Sequence, residues 1–315
     1  MSLRASDGRC GLKLRLLLWL SAWLAISLVH AGDLWKQLFS GISADSLQNP
    51  YNALLLLLGL WWLWGKRREL FSRMRHGPAN PGLAALGVAL VVLAWFMPQW
   101  DRPGMVRLAA IGQAVSGLGL FVILFPRAAF LPALALAPVC LSLLITLAIA
   151  TFLATPFSLA PVLILVPALS ALGLPIAHQG LYVSVLGPSG ETVTTVFALG
   201  CSGHYAIAIA AALFLLMTLD ARLPARKMVP LLLAVLVGAW LQNLLRLALL
   251  LVIGHIWGES ALWTAHRYLG PLLFVAFFAL FAYIYFKMTV NARKDGTSMD
   301  TRTKTDEAVS ERASL

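Results

Sequence analysis

The sequence predicts an all-α polytopic membrane protein, and two observations carry that prediction. The chain is 60% hydrophobic and only 12% charged, whereas about a quarter of the residues in a soluble domain are charged. Runs of roughly 20 apolar residues also recur along the whole chain, and a helix of that length crosses a bilayer. These runs are too long and continuous for barrel strands, and open sheets do not sit in lipid.

The basic charge of the chain supports the same class. A formal net charge of +11 would suit a nucleic-acid partner, but the Lys and Arg residues occur in short blocks between apolar runs. Blocks of this kind mark cytoplasmic loops, because such loops carry an excess of basic residues. The sequence therefore predicts a lipid bilayer, and no nucleic acid, as the environment of the chain.

Residues 1–130 are predicted to contain the first four transmembrane helices. The apolar runs are 14–29, 50–64, 81–97 and 105–125. The first run ends in Val29-His30-Ala31, which faintly resembles a signal-peptidase site, so cleavage of residues 1–31 stays open. The clearest cytoplasmic loop follows the second run and contains Lys66, Arg67, Arg68, Arg73 and Arg75. A tight external turn is expected at 98–104.

Residues 131–287 are predicted to form the second group of helices. The full spans are 131–153, 202–219, 228–253 and 268–286, and an outer loop is expected at 254–265. Together the two groups give about eight spans, with both termini in the cytoplasm. The polar residues 288–315 are expected to form a disordered cytoplasmic tail.

Two segments of the second group depart from the spanning pattern. Residues 156–174 are apolar but interrupted by Pro161, Pro167 and Pro175. The topology of the flanking spans requires both ends of this segment outside, so we expect a re-entrant or interfacial helix. Residues 179–200 hold two short β-rich runs around Gly187-Pro188-Ser189-Gly190. A Gly/Pro turn between such runs predicts a short β-hairpin on the outer face.

The three cysteines do not form a recognisable framework. Cys10 lies in a polar stretch, Cys140 lies within an apolar run, and Cys201 lies between glycine-containing turns. No CxxC motif and no Cys/His metal spacing accompanies them. We therefore expect no structural disulfide, no metal and no cofactor, and Cys201 is expected to be a free thiol.

Helix spacing places three reactive side chains at one depth. A helix rises about 1.5 Å per residue, so roughly 18 residues separate Cys201 from the inner loop and roughly 18 return the chain to Arg246. The chain then re-enters the membrane near His266. Cys201, Arg246 and His266 are therefore expected to lie together near the outer face.

Arg246 is the least expected of these residues, because a fully apolar run surrounds it. An arginine at such a position costs a few kcal/mol and usually marks a function. Asn243 precedes it by three residues and shares its helix face. The alternative reading is that Arg246 reaches the outer headgroups along its own aliphatic stem.

Cysteine, histidine and arginine together form a workable acyl-transfer site. The cysteine would be the nucleophile, the histidine the base, and the arginine the stabiliser of the thiolate or the oxyanion. Taken singly, Cys201 is more often a small packing residue and His266 a surface residue. His204 and His255 are alternative bases on the same predicted side.

At these residues the chain resembles the exosortase/archaeosortase family of membrane cysteine transpeptidases. The resemblance is carried by Cys201-Ser202-Gly203, Asn243-x-x-Arg246 and His266-x-x-x-Gly270, in that order. It covers roughly residues 130–290, and residues 131–287 would be the catalytic core. By this resemblance the catalytic residues would be Cys201, Arg246 and His266, with Asn243, Ser202 and Gly203 in support.

The resemblance implies a multi-pass enzyme of the bacterial inner membrane with its active site on the periplasmic side. Its partners would be exported proteins that end in a short Pro-containing motif, a transmembrane helix and a basic tail. The enzyme would cleave that C-terminal sorting signal through a thioester on its cysteine. The substrate protein, the resolving nucleophile, the subfamily and the oligomeric state do not follow from the sequence.

Two other functions fit parts of the same pattern. A non-catalytic protein of an exopolysaccharide or export system would use Arg246 and the outer histidines to hold an anionic headgroup or a partner helix. A haem-binding membrane protein would need paired histidines on facing helices, whereas His204, His255 and His266 lie at helix ends or in predicted loops.

Overall fold

The computed structural model describes residues 4–30, 50–75, 81–97, 108–221 and 223–313, with side chains within 11–29, 54–74, 81–97, 112–221 and 223–291. In these residues the fold is mainly helical, and one small sheet accompanies the helices. Among the described residues, four helices are long and apolar enough to cross a membrane: Gly11–Val29, Phe130–Phe152, Ala154–Ala171 and Ala225–Asn291. The membrane class is thus confirmed, while the number of spans and their orientation stay predictions. The predicted turn at 98–104 lies outside the described residues.

The chain divides into two compact units, Met1–Phe152 and Leu153–Leu315. The sequence analysis divided the chain after residue 130, one helix earlier. The helix Phe130–Phe152 stays with the first unit because it packs closely on Pro50–Gly65. A Cβ added at Gly59 would overlap the backbone oxygen of Ala135, so only glycine permits this approach.

Within its described residues, the first unit contains six helices that bury small and aromatic residues. They are α1 (Arg4–His30), α2 (Pro50–Gly65), α3 (Arg67–Arg75), α4 (Pro81–Phe96), α5 (Leu108–Leu124) and α6 (Phe130–Phe152). The predicted basic loop is in fact the helix α3, where Arg73 bonds Glu69 one turn earlier. Gly87 and Gly119 let α4 and α5 approach to backbone contact.

The second unit begins with α7 (Ala154–Ala171), which is one continuous helix. The prolines inside it, Pro161 and Pro167, do not interrupt it as the sequence analysis expected. α7 buries one side, which includes Val162, Leu165 and Leu169. Its length and composition are those of a candidate span, so its re-entrant or interfacial position stays a prediction.

The predicted hairpin is confirmed, and a further strand enlarges it to an antiparallel three-stranded sheet of order β1-β2-β3. The strands are β1 (Ile176–Gln179), β2 (Tyr182–Leu186) and β3 (Thr192–Val196). More buried and more exposed residues alternate along β2 and β3, so Val183, Val185 and Val193 point to one side and are buried. Burial of this side fixes the register in which the strands pair. At the predicted turn, Gly187 donates a hydrogen bond to the backbone oxygen of Glu191, and Gly190 adopts a φ of +82°.

After the sheet, a short 3₁₀ turn (Leu199–Cys201) leads into α8 (His204–Asp220). The last helix, α9, runs over Ala225–Ala313 and is broken at Gly258, where φ is 81° and ψ is −175°. We call residues 225–257 the first arm of α9 and residues 259–313 its second arm.

The two arms of α9 fold back on each other as an antiparallel helical hairpin. Close approaches pair Gly254 with Leu262, Arg246 with Gly270, and Gly238 with Phe277, and all three pairs are centred on residue 258. The predicted outer loop at 254–265 is therefore wrong, since this stretch is helical on both sides of one glycine. A positive φ explains why a single residue suffices for the reversal. The second arm also continues helically to Ala313, where the sequence analysis expected a disordered tail.

One hydrophobic core holds the second unit together. It joins α7, the buried face of the sheet and both arms of α9, and includes Val166, Val185, Phe197, Leu251 and Leu262. Cys201 packs against this core, as do Ala265 and Leu269 of the second arm. The core thereby brings the end of the sheet, the 3₁₀ turn and the helical hairpin to one place.

Candidate active site

The cysteine of the predicted site lies in a turn that hydrogen bonds fix at both ends. The backbone N–H of Cys201 donates to the carbonyl of Ala198 at 2.8 Å, and that of Ser202 donates to Leu199 at 3.0 Å. Gly203 follows with a φ of +88°, a conformation that side-chain-bearing residues rarely adopt. The sequence Cys-Ser-Gly thus makes the sharp entry into α8.

Asn243 anchors this turn to the first arm of α9. Its side-chain amide nitrogen Nδ2 donates a hydrogen bond to the backbone oxygen of Cys201 at 2.8 Å. A Cβ at Gly203 would lie 3.0 Å from Cβ of Asn243, so glycine is needed for this packing as well as for its φ. Asn243 is buried, and its amide therefore requires the partner that the turn supplies.

Arg246 lies one helical turn beyond Asn243 and reaches across to the second arm of α9. Its Nη2 atom donates to Nε2 of His266 at 3.3 Å and to the backbone oxygen of His266 at 3.4 Å. An arginine has only donors, so Nε2 of His266 must accept and the ring proton must sit on Nδ1. The arginine thereby fixes both the orientation and the tautomer of the histidine.

Gly270 gives the arginine the room it needs. It follows His266 by four residues and so lies on the same helix face. A Cβ at position 270 would approach Nε of Arg246 to 2.9 Å and Cζ to 3.1 Å. The guanidinium therefore lies directly over the backbone of the second arm, in a space that only glycine leaves open.

The guanidinium of Arg246 is not fully satisfied. Its Nε atom is buried, and no acceptor within the described residues reaches it. An unpaired buried donor costs free energy, and in a native fold it often indicates the position of a ligand. An oxygen of a bound substrate is the kind of acceptor that this group lacks.

The electrostatics of the thiol depend on the same arginine. Burial raises the pKa of the Cys201 thiol, and the positive charge of Arg246 opposes that rise. The charge of Arg246 thus acts on the thiol of Cys201. Cys201 is a free cysteine and is partly accessible.

The two alternative bases have other partners. His204 is only 1% exposed, and its Nδ1 lies 3.2 Å from Oγ of Ser202, which is also buried. His255 lies near the tip of the helical hairpin, where its Nδ1 donates to the backbone oxygen of Leu186 at 2.5 Å. Neither of these contacts involves Cys201 or Arg246, whereas His266 is bonded to Arg246 directly.

Sequence reasoning missed two features of this site. The sequence analysis noted the spacing of Gly270 from His266 as a motif. It did not predict that Gly270 leaves room for the guanidinium of Arg246. The role of His255 in holding the sheet was also missed, since it depends on a contact across 69 residues of sequence. Only the first left a signal in the sequence, namely a glycine one turn after the histidine.

Comparison with known protein families gives one match. The chain matches a family described as transmembrane exosortase over residues 43–283. This range covers more than half of the chain and contains Cys201, Asn243, Arg246, His266 and Gly270. No curated protein and no solved structure matches the chain.

Proposed function

The chain belongs to the transmembrane exosortase family, and on that premise we propose that it is a cysteine transpeptidase or protease that cleaves C-terminal sorting signals of exported proteins. The signal would be a short Pro-containing motif followed by a transmembrane helix and a basic tail. A membrane-embedded enzyme suits such a substrate, because the helix of the signal can approach it sideways within the bilayer.

One observation carries this proposal. A single turn of α9 holds both halves of the candidate site, since Asn243 bonds the backbone of Cys201 and Arg246 bonds His266. A nucleophile, a cation and an imidazole are thereby tied to one rigid element. Acyl transfer needs this combination, and a packing role for any one of the three residues would not require the other two.

In the proposed reaction the sulfur of Cys201 attacks the scissile carbonyl of the sorting signal. Because burial raises the pKa of this thiol, the proton must be removed as the sulfur attacks, and we assign His266 as the base. In the resting site Nε2 of His266 accepts a hydrogen bond from Nη2 of Arg246, so this bond opens for Nε2 to take the proton. A C–S bond forms and the carbonyl oxygen gains negative charge. In this proposal the N–H groups of Arg246, including the one that His266 releases, stabilise that charge.

The collapse of this intermediate releases the C-terminal helix. The C–N bond breaks, and the leaving amine takes the proton that His266 holds. The substrate then remains as a thioester on Cys201. An amine or a water molecule attacks the thioester and restores the thiol, which gives a transferred or a hydrolysed product respectively.

The charges of α9 support a site near the outer face of the bacterial inner membrane. Arg226 and Lys227 begin the first arm and Lys287 follows the apolar part of the second, whereas Glu259 lies at the hairpin tip. Basic ends face the cytoplasm. Arg246 lies about 19 residues, or roughly 28 Å, from Lys227, and this distance supports a position in the outer leaflet.

The test is co-expression with an exported protein of the host that carries such a signal, followed by the mass of the processed protein. Cys201→Ala should leave the protein inserted in the membrane and the substrate uncut. Cys140→Ala is the matched control, since Cys140 is the other free cysteine of the described residues and lies in α6. It should process the substrate normally.

Two results would count against the proposal. Normal processing by Cys201→Ala would remove the nucleophile and refute the assignment. Absence of processing by the unaltered protein, for every such substrate of the host, would favour the non-catalytic alternative in which Arg246 holds an anionic headgroup or a partner helix.

A further inference from the structure

We infer that the cleavage segment of the substrate binds as a fourth strand on the free edge of β3 and runs parallel to it, so that the edge leads the scissile bond to Cys201. This inference rests on the proposed function and specifies how that site recognises its substrate. It assigns substrate recognition to backbone hydrogen bonds of the small sheet, in addition to contacts within the bilayer.

The register of the sheet shows which peptide groups of β3 are free. β2 and β3 pair Val185 with Val193 and Val183 with Thr195. The bonds that close this ladder run from Gly187 to Glu191 and from Phe197 to Leu181. Odd-numbered residues of β3 therefore bond β2.

The even-numbered residues of β3 face the other way. The N–H and C=O groups of Thr192, Thr194 and Val196 point away from β2, because neighbouring residues of a strand alternate in direction. No backbone partner reaches them within the described residues. All three residues are exposed, so an incoming strand can reach this row of groups.

Unpaired edge groups of this kind are ready to accept a further strand. Proteins usually protect such edges with charged side chains, proline or a covering element. β3 has the sequence Thr-Val-Thr-Thr-Val, without charge or proline and with high strand propensity. Addition of an extended peptide to a sheet edge is a common mode of peptide recognition.

The position of β3 in the chain connects this edge to the candidate nucleophile. Only residues 197–200 separate the end of β3 from Cys201. Phe197 is buried in the core that Cys201 contacts, and the turn at Cys201 is anchored by Asn243. A peptide that follows β3 to its end is therefore led to the sulfur of Cys201.

The order of the substrate fixes the direction of the added strand. In the proposed signal the motif precedes the transmembrane helix, and we take the scissile bond to lie between the two. A segment that passes along β3 and reaches Cys201 at its cleavage point must therefore run in the same direction as β3. The proline of the motif must occupy a position whose nitrogen points away from β3, because proline cannot donate to a ladder.

The other edge of the sheet is a poorer candidate. β1 has four residues, and its free groups are those of Ile176 and His178, since Leu186 bonds Pro175 on the inner side. β1 follows α7 and does not lead to Cys201. It therefore provides a matched control for substitutions that remove an edge N–H group.

The first experiment compares three variants with the unaltered protein in membranes. The probe is a synthetic peptide that copies the cleavage segment of the substrate used for co-expression. Thr194→Pro removes an outward N–H of β3, His178→Pro removes one of β1, and Thr194→Val removes only the hydroxyl that bonds Ser184. We expect Thr194→Pro to raise KM at least about tenfold and the two controls to stay within about twofold.

The second experiment leaves the enzyme unaltered, and so avoids the possibility that Thr194→Pro disturbs folding. Peptide amides of the probe are replaced by esters one at a time, which removes single N–H groups from the substrate. An added strand predicts that every second replacement raises KM while the intervening ones do not. A uniform effect, or none, would overturn the inference.

These outcomes separate the inference from the proposed function. If Cys201→Ala abolishes processing while Thr194→Pro and the ester series leave KM unchanged, the enzyme assignment stands and edge binding is wrong. If Cys201→Ala processes normally, the proposed function itself fails, whatever the edge variants show.

Discussion

The side-chain amide of Asn243 donates a hydrogen bond to the backbone carbonyl of Cys201 at 2.8 Å, across 42 residues of chain. This contact ties the turn that carries the thiol to the helix that carries Arg246. It also makes Asn243 a positioning residue, because the amide touches the backbone of Cys201 and leaves the sulfur free. The geometry of the candidate site therefore depends on a residue that takes no part in bond making.

Loss of this bond should slow catalysis. Asn243→Ala leaves the carbonyl of Cys201 without its buried donor, which costs about 1–3 kcal/mol and corresponds to roughly a tenfold to hundredfold fall in kcat if it acts at the transition state. KM should change little, since the substrate does not touch the amide. Gln242→Ala, at the neighbouring position, is the control and should keep normal kcat. Equal effects of the two variants on kcat would contradict a positioning role.

Gly270→Ala should displace the guanidinium of Arg246. The new Cβ would lie 2.9 Å from Nε and 3.1 Å from Cζ, so the side chain must move and its bonds to His266 must lengthen. We expect processing to fall at least about tenfold, since a misplaced catalytic group costs rate steeply. The measurement is kcat of the membrane-inserted variant.

Gly238→Ala is the matched control for that variant, since it also places a Cβ between the two arms of α9. There the Cβ would meet the ring of Phe277 at 2.7 Å, which is a packing contact about two helical turns before Arg246 on the first arm. This variant should lower thermal stability and leave kcat near normal. If Gly238→Ala lost as much activity as Gly270→Ala, the loss would be due to disturbed packing of the two arms of α9. Displacement of Arg246 would then not be its cause.

The pH dependence of thiol alkylation should report the charge of Arg246. That charge lowers the pKa of Cys201, which burial raises. In Arg246→Gln the opposing charge is lost, so the pKa rises further and less thiolate is present at any pH below it. The rate of alkylation by iodoacetamide should therefore reach its half-maximum at higher pH than in the unaltered protein.

Arg267→Gln is the control for the alkylation profile, because Arg267 is exposed and adjoins His266 in sequence. Its profile should coincide with that of the unaltered protein. An unchanged midpoint in Arg246→Gln would mean that the arginine does not act on the thiol. A shift of the midpoint to lower pH would mean that Arg246 raises the pKa of Cys201, which contradicts the prediction.

The three histidines near the sheet and the hairpin should differ in their effect on turnover. His266→Ala should abolish processing, and added imidazole should restore part of it by supplying the missing base. His255→Ala should keep kcat, since this ring bonds the backbone of Leu186 in the sheet. His204→Asn should also keep kcat, because the asparagine can still bond Ser202. Loss of turnover in either of the last two, with His266→Ala active, would reassign the base.

Much of the fold could be read from hydropathy, because lipid requires long apolar helices whatever their neighbours are. Each predicted apolar run of the described residues lies in a helix, and the Gly/Pro turn between β2 and β3 is where the sequence placed it. The errors lie where local signals mislead. Pro161 and Pro167 predicted an interruption, but α7 is continuous, since packing of the helix offsets the loss of single hydrogen bonds.

The reversal of α9 at Gly258 is a second feature that local sequence signals did not predict. The polar residues around His255 and Glu259 predicted a loop of twelve residues, whereas one glycine with a positive φ makes the turn. A strand of four residues, β1, also escaped prediction, because it gains its stability from pairing with β2. Both features depend on contacts between segments that are distant in sequence or too short to carry a pattern.

The sequence by itself determined that the chain is a membrane protein. Helical spacing predicts that Cys201, Arg246 and His266 lie at similar depth, and an arginine within an apolar run predicts a polar partner for Arg246. Hydropathy and helical rise suffice for these conclusions, because each can be calculated from one local stretch of sequence. Only the tertiary structure decided which groups touch: Arg246 bonds His266 over Gly270, Asn243 bonds the turn of Cys201, and His255 serves the sheet. Such pairings are set by how the two arms of α9 and the sheet pack in three dimensions, and spacing along the sequence does not encode the direction in which a side chain points.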